Sequence, residues 1–305
     1  MGVTAQHLLT ALFNAGIAIS IGATVLSLGM TYTVGQLVAP LHRVVLVIAM
    51  VVLNAGVIPA VAWGLAEILP VDSKYVPGLV LATIGAGSAA GLKAAQLAKR
   101  ADLPLAVSVV VVLQLVNIIA MPLWAGQVVT GVSISAWQIV KSLLMLVLLP
   151  LVAGLLIRAR YTDHAKDWRA ELVKVANLAL VVALATGISA NWSTIVSMFG
   201  SWVIGATIII VIVAAVLGLL PGLLLGGKRA EVRTTTGLVS VFRFASLGLI
   251  IIGAQLHGNP VYLGPALTFA LVDFILPLAL AVEIGHRPGT RQPAPEPVPP
   301  PATSP

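Results

Sequence analysis

Thr83-Ile84-Gly85-Ala86-Gly87-Ser88-Ala89-Ala90-Gly91-Leu92-Lys93-Ala94-Ala95-Gln96-Leu97-Ala98-Lys99 lies within a long apolar run, yet it carries three glycines and, at Lys93, an ammonium group. As an ordinary membrane span it is poor. Each glycine weakens a helix by roughly 1 kcal/mol relative to alanine, and a charge near the bilayer centre costs about 2.5 to 3.5 kcal/mol on insertion scales. A second stretch of the same character covers residues 235–249, where Ser240, Arg243 and Ser246 interrupt an apolar run between Gly237 and Gly248. The Gly-x-x-x-Gly spacing of Gly87 and Gly91 allows close helix packing, which accounts for the glycines but not for Lys93 or Arg243. Paired interrupted spans in the two halves of a membrane protein point to the central site of a transporter.

The rest of the chain agrees with a membrane setting. Of its 305 residues 59% are hydrophobic and 9% charged, with a mean hydropathy of +1.07, whereas a soluble globule carries about 25% charged residues. The fold class is therefore an all-α polytopic membrane protein. At about 20 apolar residues per span, nine helices are predicted, over residues 8–32, 44–69, 76–97, 105–129, 137–157, 172–190, 202–225, 235–256 and 261–284. Together they make one transmembrane transporter domain over residues 1–285. The first stretch lacks a basic leader and a small-residue cleavage site, so it is expected to remain as a helix. There is no cysteine, and His7, His42, His164, His257 and His286 show no metal-ligand spacing. No phosphate-binding loop is present, and neither a cofactor nor a nucleic-acid partner is expected.

Threading nine helices alternately places Arg43, Lys99, Arg100, Arg158, Arg160, Lys166, Arg169, Lys174, Lys228, Arg229, Arg233, Arg287 and Arg291 on one side, with Lys74 opposite. By the positive-inside rule the N-terminus is expected outside and the C-terminus in the cytoplasm of a multi-pass cell-membrane protein. Lys141, one turn inside its helix, is expected to snorkel. Trp63, Trp124, Trp137, Trp192 and Trp202 read as an interfacial belt near the outer ends. The tail over residues 286–305 is rich in proline and is expected to be disordered in the cytoplasm. Prolines also mark a repeat: Pro104 opens and Pro122 interrupts the helix after the first gapped stretch, as Pro260 and Pro277 do after the second, and Pro59 is matched by Pro221. Asn117 and Asp273 precede Pro122 and Pro277 by similar spacings. With the helices running in opposite senses, this is the pattern of an inverted repeat.

The order of these features resembles the bile acid:sodium symporter (BASS) family. The residues that carry the resemblance are Leu28-Gly29-Met30-Thr31, Asn54 with Pro59 and Trp63, the glycine-rich third helix, Lys141 with Leu148-Leu149-Pro150, Arg233-Thr234, and Ser246-Leu247-Gly248-Leu249. The resemblance implies a nine-helix transporter in which a panel (residues 8–32, 137–157 and 172–190) moves against a core (44–69, 76–97, 105–129, 202–225, 235–256 and 261–284). It also implies two crossing helices in the core and an organic anion carried with sodium between panel and core. The sodium-binding pattern is degenerate here. The family's Ser-Asn falls on Gly91-Leu92, its glutamate on Leu238, its Gln-Asn on Phe242-Arg243, and its hydroxyl ligands on Ala106 and Val110. Sodium prefers several hard oxygen ligands, so the metal sites are expected to be lost.

Lys93 and Arg243 then stand near the places of the missing ions, either compensating the helix ends at the crossing or holding an anionic substrate. Asp273, the one carboxylate deep in a span, is expected to pair with one of them or to carry a proton. Asn54, Ser88, Gln114 and Asn117 either line a cavity or hydrogen-bond between helices. Two rival readings are an intramembrane enzyme using Lys93 and Asp273 as acid and base, and an anion channel. Against the first stands the absence of an activated-nucleophile or metal motif. Against the second stand isolated rather than ringed charges.

Overall fold

The computed structural model describes residues 3–98, 101–130, 134–227 and 229–286. Lys99, Arg100, Lys228 and, beyond His286, the proline-rich tail with Arg287 and Arg291 lie outside the described residues. Among the described residues every regular element is helical. In chain order they are α1 (Val3–Thr31), α2 (Val34–Val38) with a 3₁₀ turn (Ala39–His42), and α3 (Val44–Val51) joined through a π-helical turn (Val52–Val57) to α4 (Ile58–Ile68). Then come α5 (Val76–Ile84), α6 (Ala89–Leu97), α7 (Leu103–Val128), and α8 (Ala136–Leu143) joined through a second π turn (Leu144–Leu148) to α9 (Leu149–Arg160). The chain continues as α10 (Thr162–Ala190), α11 (Trp192–Ser197), α12 (Val203–Leu225), α13 (Ala230–Val241), α14 (Ala245–Gln255) and α15 (Pro260–His286). Eight helices among the described residues are long and apolar enough to cross a membrane, and nine if α5 and α6, bent by 60° at their break, make one span.

Three departures from the predicted spans have plain causes. The third span is split, because the glycines of the break sit against neighbouring backbone. The second contains a π turn just before Pro59. The sixth starts at Thr162 rather than 172, leaving only Tyr161 between α9 and α10: residues 162–171 are polar but still favour helix, and hydropathy marks only where lipid begins.

Small residues set the packing. α1 lies along α10 and α9, and a Cβ on Gly16 would come within 2.9 Å of the Ala179 carbonyl oxygen, while one on Gly154 would come within 2.9 Å of Gly29 Cα. Among the other spans, α12 packs on α13, and α5 packs on α15 and α14. Gly248 of α14 lies against the Leu81 carbonyl of α5, and Gly91 of α6 lies against the Leu238 carbonyl of α13, where a Cβ would sit 2.5 and 3.2 Å away. These close approaches seat the two broken helices against each other deep in the bundle.

Candidate functional site

Each break leaves helix-end groups that a bilayer does not hydrate, and side chains from other helices bond several of them. In the first break, Gly85 to Ser88, Gly87 adopts φ +74°, and a Cβ there would lie 2.6 Å from the Val110 carbonyl; only glycine fits both demands. Asn117 of α7 clamps the stranded Ala86 peptide groups: its Oδ1 accepts from Ala86 N at 3.1 Å and its Nδ2 donates to Ala86 O at 2.8 Å. Gln114 Nε2 donates to Gly87 O at 3.1 Å, and Ser88 Oγ accepts from Ala90 N at 3.2 Å, capping α6. The second break, Phe242 to Phe244, has no glycine. It meets the first directly, with Phe244 N donating to Gly85 O at 2.9 Å.

Arg243 fills the crossing. Its side chain is 3% exposed, and its guanidinium donates from Nε to Thr83 O (2.7 Å), from Nη1 to Asn54 Oδ1 (2.9 Å), and from Nη2 to Asn54 O (2.7 Å) and Ile84 O (3.1 Å). The sequence explains why these oxygens are free. Thr83 and Ile84 end α5, and the N–H groups four residues on, those of Gly87 and Ser88, lie within the break, out of helical register. In the π turn Ile58 N reaches back five residues to Leu53 O, so in that register Asn54 O faces Pro59, which has no N–H. The neighbouring Ala55 carbonyl receives the indole N–H of Trp124 at 2.7 Å. Asn54 is itself fixed by donating from Nδ2 to Met50 O (2.9 Å) and Ser240 Oγ (3.0 Å). A planar fork of donors suits four fixed acceptors as a point-like ammonium would not.

Asp273 is the counterpart of Asn117. From α15 its Oδ2 accepts the Arg243 backbone N–H at 3.0 Å, so each break is tethered by a polar side chain of the helix that follows it. The expected salt bridge is not formed: Asp273 pairs with neither Lys93 nor the Arg243 guanidinium, because that guanidinium is spent on carbonyl and amide oxygens. Among the described residues, Asp273 Oδ1 and Gln114 Oε1 are buried without a partner.

Lys93 does not compensate the crossing. It lies past the first turn of α6 on the stripe with Ala89, Ala90 and Leu97 that faces away from the core, and it is exposed, without a hydrogen-bond or ion-pair partner among the described residues. The break is a full helical turn behind it. Asn54, Gln114 and Asn117 have no exposed surface, and Ser88 is 9% exposed. Gly85 and Gly91 are held by the facing backbones of Phe244 and Leu238. Leu92, Ala106, Val110, Leu238 and Phe242, where the resemblance places sodium ligands, are buried apolar side chains. At the crossing, four oxygens, those of Thr83, Ile84 and Asn54 and the Asn54 amide Oδ1, accept from the guanidinium.

The sequence reading missed the Thr83, Ile84 and Asn54 carbonyls, since backbone acceptors leave no residue signature; Pro59 was the available signal. It also missed the tie at the far membrane end, where Arg43 Nη1 meets Asp102 Oδ2 at 3.0 Å, Asp102 caps α7, and Asp102 N donates to Thr235 Oγ1 at 2.8 Å.

Against known proteins, the sodium bile acid symporter family matches residues 18–219, which run from α1 through most of α12 and include the first break and its Asn117 clamp. The chain belongs to the sodium bile acid symporter family. No curated protein matches it. Family membership makes this a membrane transporter of a small molecule. Within this symporter-family chain the matched segment ends before α13, so Arg243 lies beyond it.

Proposed function

We propose that this symporter-family protein carries an organic anion across the cell membrane by alternating access, without a sodium ion at its crossing. The observation that carries the reading is Arg243, which delivers a permanent charge and four hydrogen bonds to the oxygens between the broken helices. A covalently held cation cannot be released on the far side, so it can stabilise the crossing but cannot be co-transported. The panel is α1, α8 to α9 and α10; the core is the remaining spans. Support comes from the packing of α1 along α9 and α10.

The two cations divide the roles left open by the sequence. Arg243 is buried and gives four hydrogen bonds there, so it holds the crossing. Lys93 is exposed on α6, an element that α1 touches, and it contacts the anion from the core side. The N-terminus lies outside and the C-terminus in the cytoplasm. Neither an enzyme nor a channel reading gains a specific observation: Lys93 and Asp273 do not meet.

The test is uptake of radiolabelled taurocholate and pyruvate into proteoliposomes under matched sodium and potassium gradients. Uptake of either that is indifferent to sodium is expected, with loss in Lys93→Ala. Sodium-driven uptake would overturn the ion assignment, and no uptake of either anion under any gradient would overturn the choice of substrate class.

A further inference from the structure

A groove of about 530 Å³ opens between α4 and α7 at the membrane end opposite Arg43 and Asp102, lined by Ala60, Trp63, Gly64, Glu67, Trp124 and Gln127. At its inner end the Trp124 indole donates to the Ala55 carbonyl of the π turn. Trp63 and Trp124 meet edge to face with centroids 6.3 Å apart, and Trp63 Nε1 donates to Glu67 Oε1 at 3.1 Å, which orients the carboxylate. No lysine or arginine among the described residues pairs with Glu67, and the lining contains no cation.

Both walls change character along their length. From the end of the π turn along α4 the stripe Val57, Ala60, Gly64, Glu67 runs from apolar to charged at helical spacing, and on α7 the stripe Ile119, Leu123, Gln127 runs from apolar to polar. Ile119 and Leu123 are 67% and 61% exposed. The groove thus offers a carboxylate and indole rings at the membrane surface and an uninterrupted apolar track beneath. An ammonium group suits the first, by charge and by the π-face quadrupole of tryptophan; an acyl chain suits the second.

We infer that this groove is a binding site for a phospholipid with an ammonium headgroup, phosphatidylethanolamine in kind, whose amine meets Glu67 and the two indoles, whose phosphate meets the Gln127 amide, and whose acyl chain follows Ile119 and Leu123. The occupant is taken from charge complementarity and from the apolar continuation, which a soluble amine would not need.

The test is lipid retention by the purified protein in native mass spectrometry, with phosphatidylethanolamine against phosphatidylglycerol of identical acyl chains. The wild-type protein should retain the first at least about fivefold better, the discrimination that one ammonium–indole contact supplies. Glu67→Gln should lose that preference. A Cβ at Gly64 meets nothing within 4 Å, so Gly64→Leu should fold as the wild type and exclude both lipids. Equal retention of the two lipids, or an unchanged preference in Glu67→Gln, overturns the site. Displacement of bound lipid by soluble phosphoethanolamine would show headgroup recognition without the acyl track and would overturn the lipid assignment. Cross-linking between copies through an Ala60→Cys variant in bilayers would make the groove a contact between protomers instead.

Discussion

Replacing Arg243 by alanine removes four hydrogen bonds to Thr83 O, Ile84 O, Asn54 O and Asn54 Oδ1 at one stroke. Hydrogen bonds from a charged donor contribute about 1.5 to 3 kcal/mol each, but they share one side chain and do not add. Breaking a buried polar network from one side costs about 3 to 5 kcal/mol, and that is the expected loss. It corresponds to a fall in melting temperature on the order of 10 °C for a chain of this size. Arg243→Lys should recover only part of it, since one ammonium cannot span acceptors on two helices. Guanidinium chloride at tens of millimolar should raise the melting temperature of Arg243→Ala relative to tetramethylammonium chloride, because a diffusible guanidinium stabilises by RT ln(1 + [L]/Kd). The wild-type protein, with its site filled, should show no such rise. Thermal melts of the purified variants measure all of this. An alanine variant that melts within about 1 kcal/mol of wild type would refute the view that the guanidinium holds the two broken helices together.

Asn117→Ala strands Ala86 N and Ala86 O, and each buried unpaired group costs about 1 to 3 kcal/mol, so this variant should melt well below wild type; an unaltered melt would mean that water reaches the break. Lys93→Ala, exposed and unpartnered, should stay within about 0.5 kcal/mol of wild type while binding less anion by equilibrium dialysis. The chain has no cysteine, so single cysteines introduced near the N-terminus and after Arg160 should be labelled by impermeant maleimide from opposite sides of intact cells. Lys74 donates to Asp72 from its side chain and backbone and holds that carboxyl below its usual range. A depressed carboxyl stabilises above its unfolded value and loses the contribution as pH falls through the folded one, but this pair is exposed, so Asp72→Asn should leave the acid limb of a melting profile unmoved.

The fold was largely legible because lipid imposes a strict rule: spans must be apolar and about 20 residues long, and the predicted starts of the second and seventh spans fall within one residue of Val44 and Val203. The first break was legible because glycine announces it. The site was half legible. Arg243 stood out as a charge in an apolar run, but its partners are mostly carbonyl oxygens freed by a helix end and by Pro59, and backbone geometry carries no letter in the sequence. Lys93 looked the same as Arg243 by composition. Helical phase separates them, since α6 turns residue 93 outward with Ala89 and Leu97, and depth along a bent helix is not a property of hydropathy.

The two breaks also differ in what they require of the assembling chain. Gly85 to Ser88 can bend as soon as it is made, since Gly87 favours its turn locally. Residues 242 to 244 contain no such instruction, and the 26 residues Ala230–Gln255 qualify by length and hydropathy as a single span. Their unwinding is imposed by Asn54, Thr83, Ile84 and Asp273, three of them synthesised more than 150 residues earlier and one 30 residues later. The partners of this break therefore come from both sides of it in the chain, and Asp273, on α15, is the last of the four to be made. A chain stopped before Pro260 lacks Asp273 and should accordingly leave the Arg243 backbone N–H without its acceptor.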